Sequence, residues 1–247
     1  YEFTWNDFCD WYVEFAKQRF NNKETKNRQI SEKVLIKVLN DILVMIHPFM
    51  PHITEELWHV LQLKPDKELL SLQKWPTQEN KFVDNKLDNS FQQLFEIIRL
   101  IRNLRAELGL KPSEKVPVYL ISDNDELIDF LKILVDDIQT LTKSSEVFIF
   151  KPNAVDKKEF AKSFSGIISD LEVYLPFQDF VNIDALKERL TKDLKKVTIE
   201  LDNLNKRLSN KNFVDKAPKD IVDECRFKLN EGSVQMERIT KKLELLN

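Results

Sequence analysis

Apolar residues in this chain repeat with two different periods, and the rhythm changes sharply enough to mark out its parts. From Ile183 onward the apolar positions fall three or four residues apart. Ile183, Leu186, Leu190, Leu194, Val197, Leu201, Leu204 and Leu208 form one run, and Val222, Cys225, Leu229, Gly232, Met236, Ile239, Leu243 and Leu246 a second. Charged residues fill the other faces, so each run predicts a helix with a single apolar seam, as in a coiled coil. The doubled step of four in the first run is a stutter that relaxes the supercoil locally. Between the runs lie residues 209–218, with Asn210 and Asn212 suited to a helix end and Pro218 to the first turn of the next helix. So short a connection predicts an antiparallel hairpin over 183–247, an arm of about 40 Å at 1.5 Å per residue. Phe213 and Val214 would plug its tip.

The same helical period runs through residues 1–110. Phe3 to Phe20 predicts a helix with an aromatic face of Phe8, Trp11, Tyr12 and Phe15, followed by a polar linker from Asn21 to Arg28. Ile30 to Ile46 predicts a second helix, buried through Val34, Leu35, Val38, Leu39, Ile42, Leu43 and Ile46 and ended by His47-Pro48. Pro51 restarts a helix carrying Ile53, Leu57, Trp58, Val60 and Leu61, and Leu70 to Pro76 reads as extended. Asp84 to Leu108 predicts a long helix with Gly109 as its left-handed cap. After Pro112 the period shortens to two. Val116 to Ser122 and Val147 to Phe150 predict strands flanking a helix from Asp123 to Thr142, and Phe164 to Ser169 with Leu171 to Leu175 predicts a hairpin. The fold class is therefore mainly α: a helical bundle over 1–110, a small α+β subdomain over 111–180, and an antiparallel coiled-coil hairpin over 183–247.

Composition narrows the chemistry. Of 247 residues, 42% are apolar, enough for a core, but only 3 are glycine, which disfavours glycine-rich phosphate loops. The two cysteines, Cys9 and Cys225, lie far apart and suggest no disulfide framework, which fits a reduced, cytoplasmic setting. No apolar run approaches the ~20 residues that cross a bilayer, so no membrane partner is expected. The net charge of −3 is unevenly spread. From Asp184 onward 15 Lys and Arg stand against 12 Asp and Glu, giving a mildly basic arm on an acidic body. The opening Tyr1-Glu2-Phe3-Thr4-Trp5 begins in mid-pattern, as an excised piece of a longer chain would.

No nucleophile elbow, phosphate loop or paired Cys-x-x-Cys occurs. His47, His52 and His59 cluster, but no Cys or carboxylate arrangement completes a metal site around them, and none is expected. Arg99, Arg102 and Arg105 recur at steps of three on one helix. They suit either structural pairing with carboxylates or phosphate contacts, for which the planar guanidinium fork is well shaped.

Two stretches resemble a known family. Tyr1-Glu2-Phe3-Thr4-Trp5-Asn6-Asp7-Phe8-Cys9-Asp10-Trp11-Tyr12 resembles the anticodon-domain helix of class I aminoacyl-tRNA synthetases of the valine, isoleucine and leucine group. His47-Pro48-Phe49-Met50-Pro51-His52-Ile53-Thr54-Glu55-Glu56-Leu57-Trp58 resembles a helix junction shared across it. Ile101-Arg102-Asn103-Leu104-Arg105-Ala106-Glu107 looks like the valyl members in particular. So, above all, does Asn212-Phe213-Val214-Asp215-Lys216-Ala217-Pro218 within a C-terminal helical hairpin.

The resemblance covers the whole chain and implies an anticodon-binding-type bundle that, with the α+β subdomain, holds the anticodon stem-loop of tRNA(Val). The coiled-coil arm would lie against the outer corner of the same tRNA. The family's HIGH-like and KMSKS-like ATP signatures are missing here, as is its editing domain, and Lys111-Pro112-Ser113-Glu114-Lys115 is no match. The resemblance thus assigns ATP and Mg to the full-length valine ligase and no cofactor to this piece, which should not activate amino acid alone. A monomer that binds no DNA is expected. Chemistry and position suggest Trp5, Asn6, Lys17, Arg19, Arg102 and Arg105 for the anticodon end, and Lys187, Arg189, Lys192, Lys196, Arg207, Lys211 and Lys216 for the arm. The alternatives are a non-catalytic coiled-coil adaptor, or the matching part of an isoleucine or leucine synthetase.

Overall fold

The structure, a computed structural model, describes residues 1–21, 25–61, 68–77, 82–177, 180–210, 213–214 and 217–246. The chain forms two compact units, Tyr1–Asp88 and Asn89–Asn247. The division falls within the first turn of the long helix Asn85–Leu108, most of whose buried face lies in the second unit.

The first unit opens with a wide π-type helical segment, Phe3–Tyr12, that runs into α1 (Val13–Asn21). Phe8, Trp11, Phe15 and Ala16 are buried and Trp5 is exposed. The next helix, α2 (Thr25–Ile46), starts earlier than the expected polar linker allows, and Arg28 and Glu32 pair across its first turns at 2.8 Å. The burial expected along α2 is confined to its C-terminal part, where Ile42, Leu43 and Val44 are buried while Val34 is exposed. As expected, α2 stops before Pro48 and α3 (Pro51–Val60) begins on Pro51. Trp58 of α3 is fully buried against Leu43, Val44 and Leu70, and its indole N–H donates to Asn40 Oδ1 at 2.8 Å. The segment expected to be extended from Leu70 contains a short 3-10 turn, Leu70–Leu72. The Glu55 carboxylate holds it by accepting from the Leu70 N–H at 2.9 Å.

In the second unit, α4 (Asn85–Leu108) is capped by Asp84, whose carboxylate accepts from the Leu87 N–H at 3.0 Å. Its buried face of Leu94, Ile97, Ile98, Ile101 and Leu104 serves a four-stranded sheet of order β2-β1-β4-β3. Strand β1 (Val118–Ser122) is parallel to β2 (Val147–Phe150) and antiparallel to β4 (Leu171–Pro176), which forms a hairpin with β3 (Ser163–Ile168). β1 begins two residues later than expected, because Pro117 has no N–H to give to a ladder. At Gly166 a side chain would strike Leu100 of α4 at 2.6 Å, so the glycine lets helix and sheet approach closely.

The single helix expected over Asp123 to Thr142 is two, α5 (Asp125–Ile133) and α6 (Val135–Thr142). They meet at Leu134, whose φ of −110° and ψ of 15° leave the helical region while its side chain turns into the core. The arm is as expected: α7 (Ile183–Ser209) and α8 (Lys219–Leu245) pack along their length. Leu186, Leu190, Val197, Leu201 and Leu204 lie buried against Val222, Cys225 and Ile239.

Candidate nucleic-acid interface

The residues suggested from sequence fall into three physical groups. The first lies on the N-terminal helical segments and is mostly exposed. Trp5 is 57% exposed and Asn6 is exposed beside it, both on the π-type segment. Lys17 reaches back to Glu14 at 2.5 Å as a surface pair, and Arg19 is half-buried in the last turn of α1. The π-type segment presents Phe3 and Trp5 outward while Phe8 and Trp11 are buried, and exposed rings of this kind can offer a stacking surface to an unpaired base.

Arg102 and Arg105 form the second group; both donate to main-chain carbonyls, but Arg105 is buried while Arg102 stays exposed. Arg102 Nε donates to the Leu141 carbonyl at 3.0 Å, at the end of α6. Arg105 is only 6% exposed, and its Nη2 donates to the carbonyls of Glu114 at 2.8 Å and Lys111 at 3.3 Å. Burial pushes its pKa down and the nearby Glu114 partly restores it, yet a guanidinium stays charged. Burial keeps Arg105 from a phosphate at the surface, although its Nη1 has no hydrogen-bond partner among the described residues. Its position makes it a staple for the loop after α4, not an outward contact.

The arm residues form the third group. Lys192 is an exposed side chain paired with Glu188 at 2.6 Å, which holds that carboxyl below its usual range. Lys196 stands 3.8 Å from Asp193 and is still more exposed. Such solvent-screened surface pairs are weak, so both ammonium groups can trade a carboxylate for a phosphate at little cost. Lys187 is half-buried near the arm's root. The Arg207 guanidinium lies 4.9 Å from the Phe213 ring centre, a cation–π contact at the tip. Arg189 turns inward and donates through Nη2 to the carbonyl of Glu107. Lys211 and Lys216 lie outside the described residues.

Sequence reasoning passed over Lys195 and Lys206, which are exposed on the face of α7 opposite the seam, in line with Lys192. Steps of three and fourteen from Lys192 were the signal that would have found them. On α8 it also missed Phe227, which is 62% exposed beside Arg226 and Lys228.

Two of the histidines have local partners. His47 Nδ1 lies 2.8 Å from Thr54 Oγ1, His59 Nε2 lies 3.2 Å from Glu55 Oε1, and His52 is exposed. Among the described residues no cluster of three or more His, Cys, Asp or Glu is placed to hold a metal ion, and no helix is long and apolar enough to cross a membrane.

Comparison with known proteins matches two stretches of the chain. Residues 1–120 match the anticodon-binding domain of tRNA ligase, and residues 182–247 match the valyl tRNA synthetase tRNA binding arm. The valine–tRNA ligase of Prochlorococcus marinus subsp. pastoris is 72% identical over 246 residues, covering 100% of this chain and 27% of that protein. The valine–tRNA ligase of P. marinus strain NATL2A is 47% identical, and that of Synechocystis sp. 38% identical. They align with 98% and 100% of the chain respectively, and with 27% of each relative. The chain thus spans about a quarter of the length of the curated relatives it matches.

Proposed function

The chain belongs to the valine–tRNA ligase family, and from that membership we propose that it is the part of such a ligase that grips tRNA(Val) at two separated places. The bundle, with the α+β subdomain, holds the anticodon stem-loop, using Trp5, Asn6, Lys17 and Arg19. The arm lies against the outer corner of the same tRNA, using Lys187, Lys192, Lys196 and Arg207. Amino-acid activation with ATP and Mg, transfer of valine and editing belong to the rest of the ligase. The assembly is monomeric and works in the cytoplasm.

One observation carries this reading: an anticodon-binding domain and a tRNA-binding arm occur in one chain, and the arm is a rigid hairpin of two 27-residue helices. A rod about 40 Å long that, beyond its root, buries little but its own seam has its outer faces turned toward an extended partner. Folded RNA is recognised through shape, phosphates and stacked bases, and the exposed groups on both parts have that chemistry.

Titration of the chain against total tRNA, with the bound fraction sequenced, tests the reading. Enrichment of valine tRNAs over isoleucine and leucine tRNAs is expected. Even recovery of all tRNAs would sink the valine assignment, and no recovery would favour a protein-binding adaptor.

A further inference from the structure

The C-terminus of α4 is where the arm is rooted. Its last carbonyls need partners, as at any helix end. Gly109, with φ of 73°, closes the helix so that the Leu110 N–H reaches the Arg105 carbonyl at 3.0 Å and the Gly109 N–H the Ala106 carbonyl at 3.0 Å. The Glu107 carbonyl is taken by Arg189, from the second turn of α7. The Glu107 carboxylate is taken by Lys242, from the last turn of α8, at 2.6 Å. Lys242 Nζ also sits 5.5 Å from the centre of the buried Phe164 ring on β3. One residue therefore holds both helices of the arm, through its main chain and its side chain. The two cations also stand at the negative end of the α4 dipole. Gly109 leaves room for this: a Cβ there would lie 2.5 Å from Arg189 Nη1.

We propose that Glu107 is the positioning residue of the arm, fixing its direction by clasping Arg189 and Lys242, so that the arm meets RNA already aimed. The leverage is large. A tilt of about 10° at the root of a 27-residue helix displaces the tip by about 7 Å. That exceeds the ~4 Å reach of an ion pair. Where two sites must engage one ligand together, affinity depends on how well their separation is pre-set. The latch is thus a device for two-point binding, and in this respect it rests on the proposed tRNA function.

The test measures direction and binding separately. Spin labels at Asp136→Cys on α6 and Asn230→Cys on α8, in a Cys9→Ser background, report the arm's direction by dipolar distance; Cys225 is buried in the seam. The unmodified latch should give one narrow distance. Arg189→Met with Lys242→Met should broaden it and weaken tRNA binding roughly tenfold by lost pre-organisation. Glu107→Lys alone should also broaden it, and adding Lys242→Glu should narrow it again, a rescue that a general loss of folding would not show. An unchanged distribution in the double methionine variant overturns the proposal. So does a broadened distribution with unchanged tRNA affinity. If the unmodified chain binds no tRNA, the function proposed above fails, while the distance result still reports on the latch.

Discussion

Leu201 occupies the space that a side chain at Gly232 would need. A Cβ on Gly232 would come within 2.8 Å of Leu201 Cδ2, so the glycine acts as the hole for a knob from the opposite helix of the arm. The pair predicts a size-exchange experiment. Leu201→Ala should cost about 2–5 kcal/mol by leaving a cavity. Gly232→Leu should cost about 1–3 kcal/mol by overpacking. Together they should melt closer to the parent than either does alone. Simple addition of the two losses, followed by thermal unfolding, would show that the positions do not share space.

Arg105 yields a prediction about stability and not about RNA. Arg105→Ala strips the Glu114 carbonyl of its donor and leaves the Lys111 carbonyl with the Glu114 N–H alone, and should cost on the order of 3 kcal/mol. Arg105→Lys should recover little, because an ammonium lacks the fork that reaches two carbonyls. At temperatures where the variants are folded, the salt dependence of tRNA binding should match the parent's. A flatter slope would return Arg105 to the list of phosphate contacts.

Much of this fold could be read from the sequence, for reasons that the exceptions make plain. The seam of the arm was legible because it depends on period alone, and Leu186, Leu190, Val197, Val222 and Ile239 are buried where that period put them. The break at Leu134 was not legible. No proline or glycine marks it, and the apolar spacing of Leu127, Leu131, Leu134 and Ile138 runs through it undisturbed. Arg105 looked like Arg102 and Arg99 because a helix pattern does not say where the chain after Gly109 returns. The Glu107 latch joins three distant points in the sequence and has no local signature at all. The candidate RNA contacts were chosen by charge and position. The structure sorts them by exposure, turning Arg105 and Arg189 inward and leaving Lys192 and Lys196 at the surface.

The sheet carries its own pH signature. Glu172 accepts from Lys157 at 2.6 Å and from the Tyr174 hydroxyl at 2.6 Å, and these bonds, that of Lys157 foremost, hold its carboxyl below the usual range. The associated stability is complete above the ordinary glutamate value and fades as pH falls through the depressed one. Burial, with the neighbouring carboxylate, pushes Tyr174 up to about 12. Its contribution is complete below pH 10 and is lost as pH rises toward 12. Phenolate absorbance should show Tyr174 ionising well after an ordinary tyrosine, with Tyr12 also raised by its burial, and Glu172→Gln should bring the Tyr174 step alone down part of the way. In acid, the melting-temperature gap between parent and Glu172→Gln should narrow. A gap that widens as pH falls would contradict the assignment.

The salt dependence of tRNA binding tests the central claim most directly. If the arm meets RNA through phosphates, each lost contact lowers the log–log slope by roughly 0.7–0.9. Lys187, Lys192 and Lys196 lie off the apolar seam, so replacing all three with Glu should leave the hairpin folded, with its melting lowered only slightly by the new like-charge pairs with Glu188 and Asp193. The account predicts weaker binding of tRNA(Val) by this variant, with a slope flatter by about 2 in the same buffer series. Equal affinity and equal slope for parent and variant would contradict it and leave the arm without an RNA role.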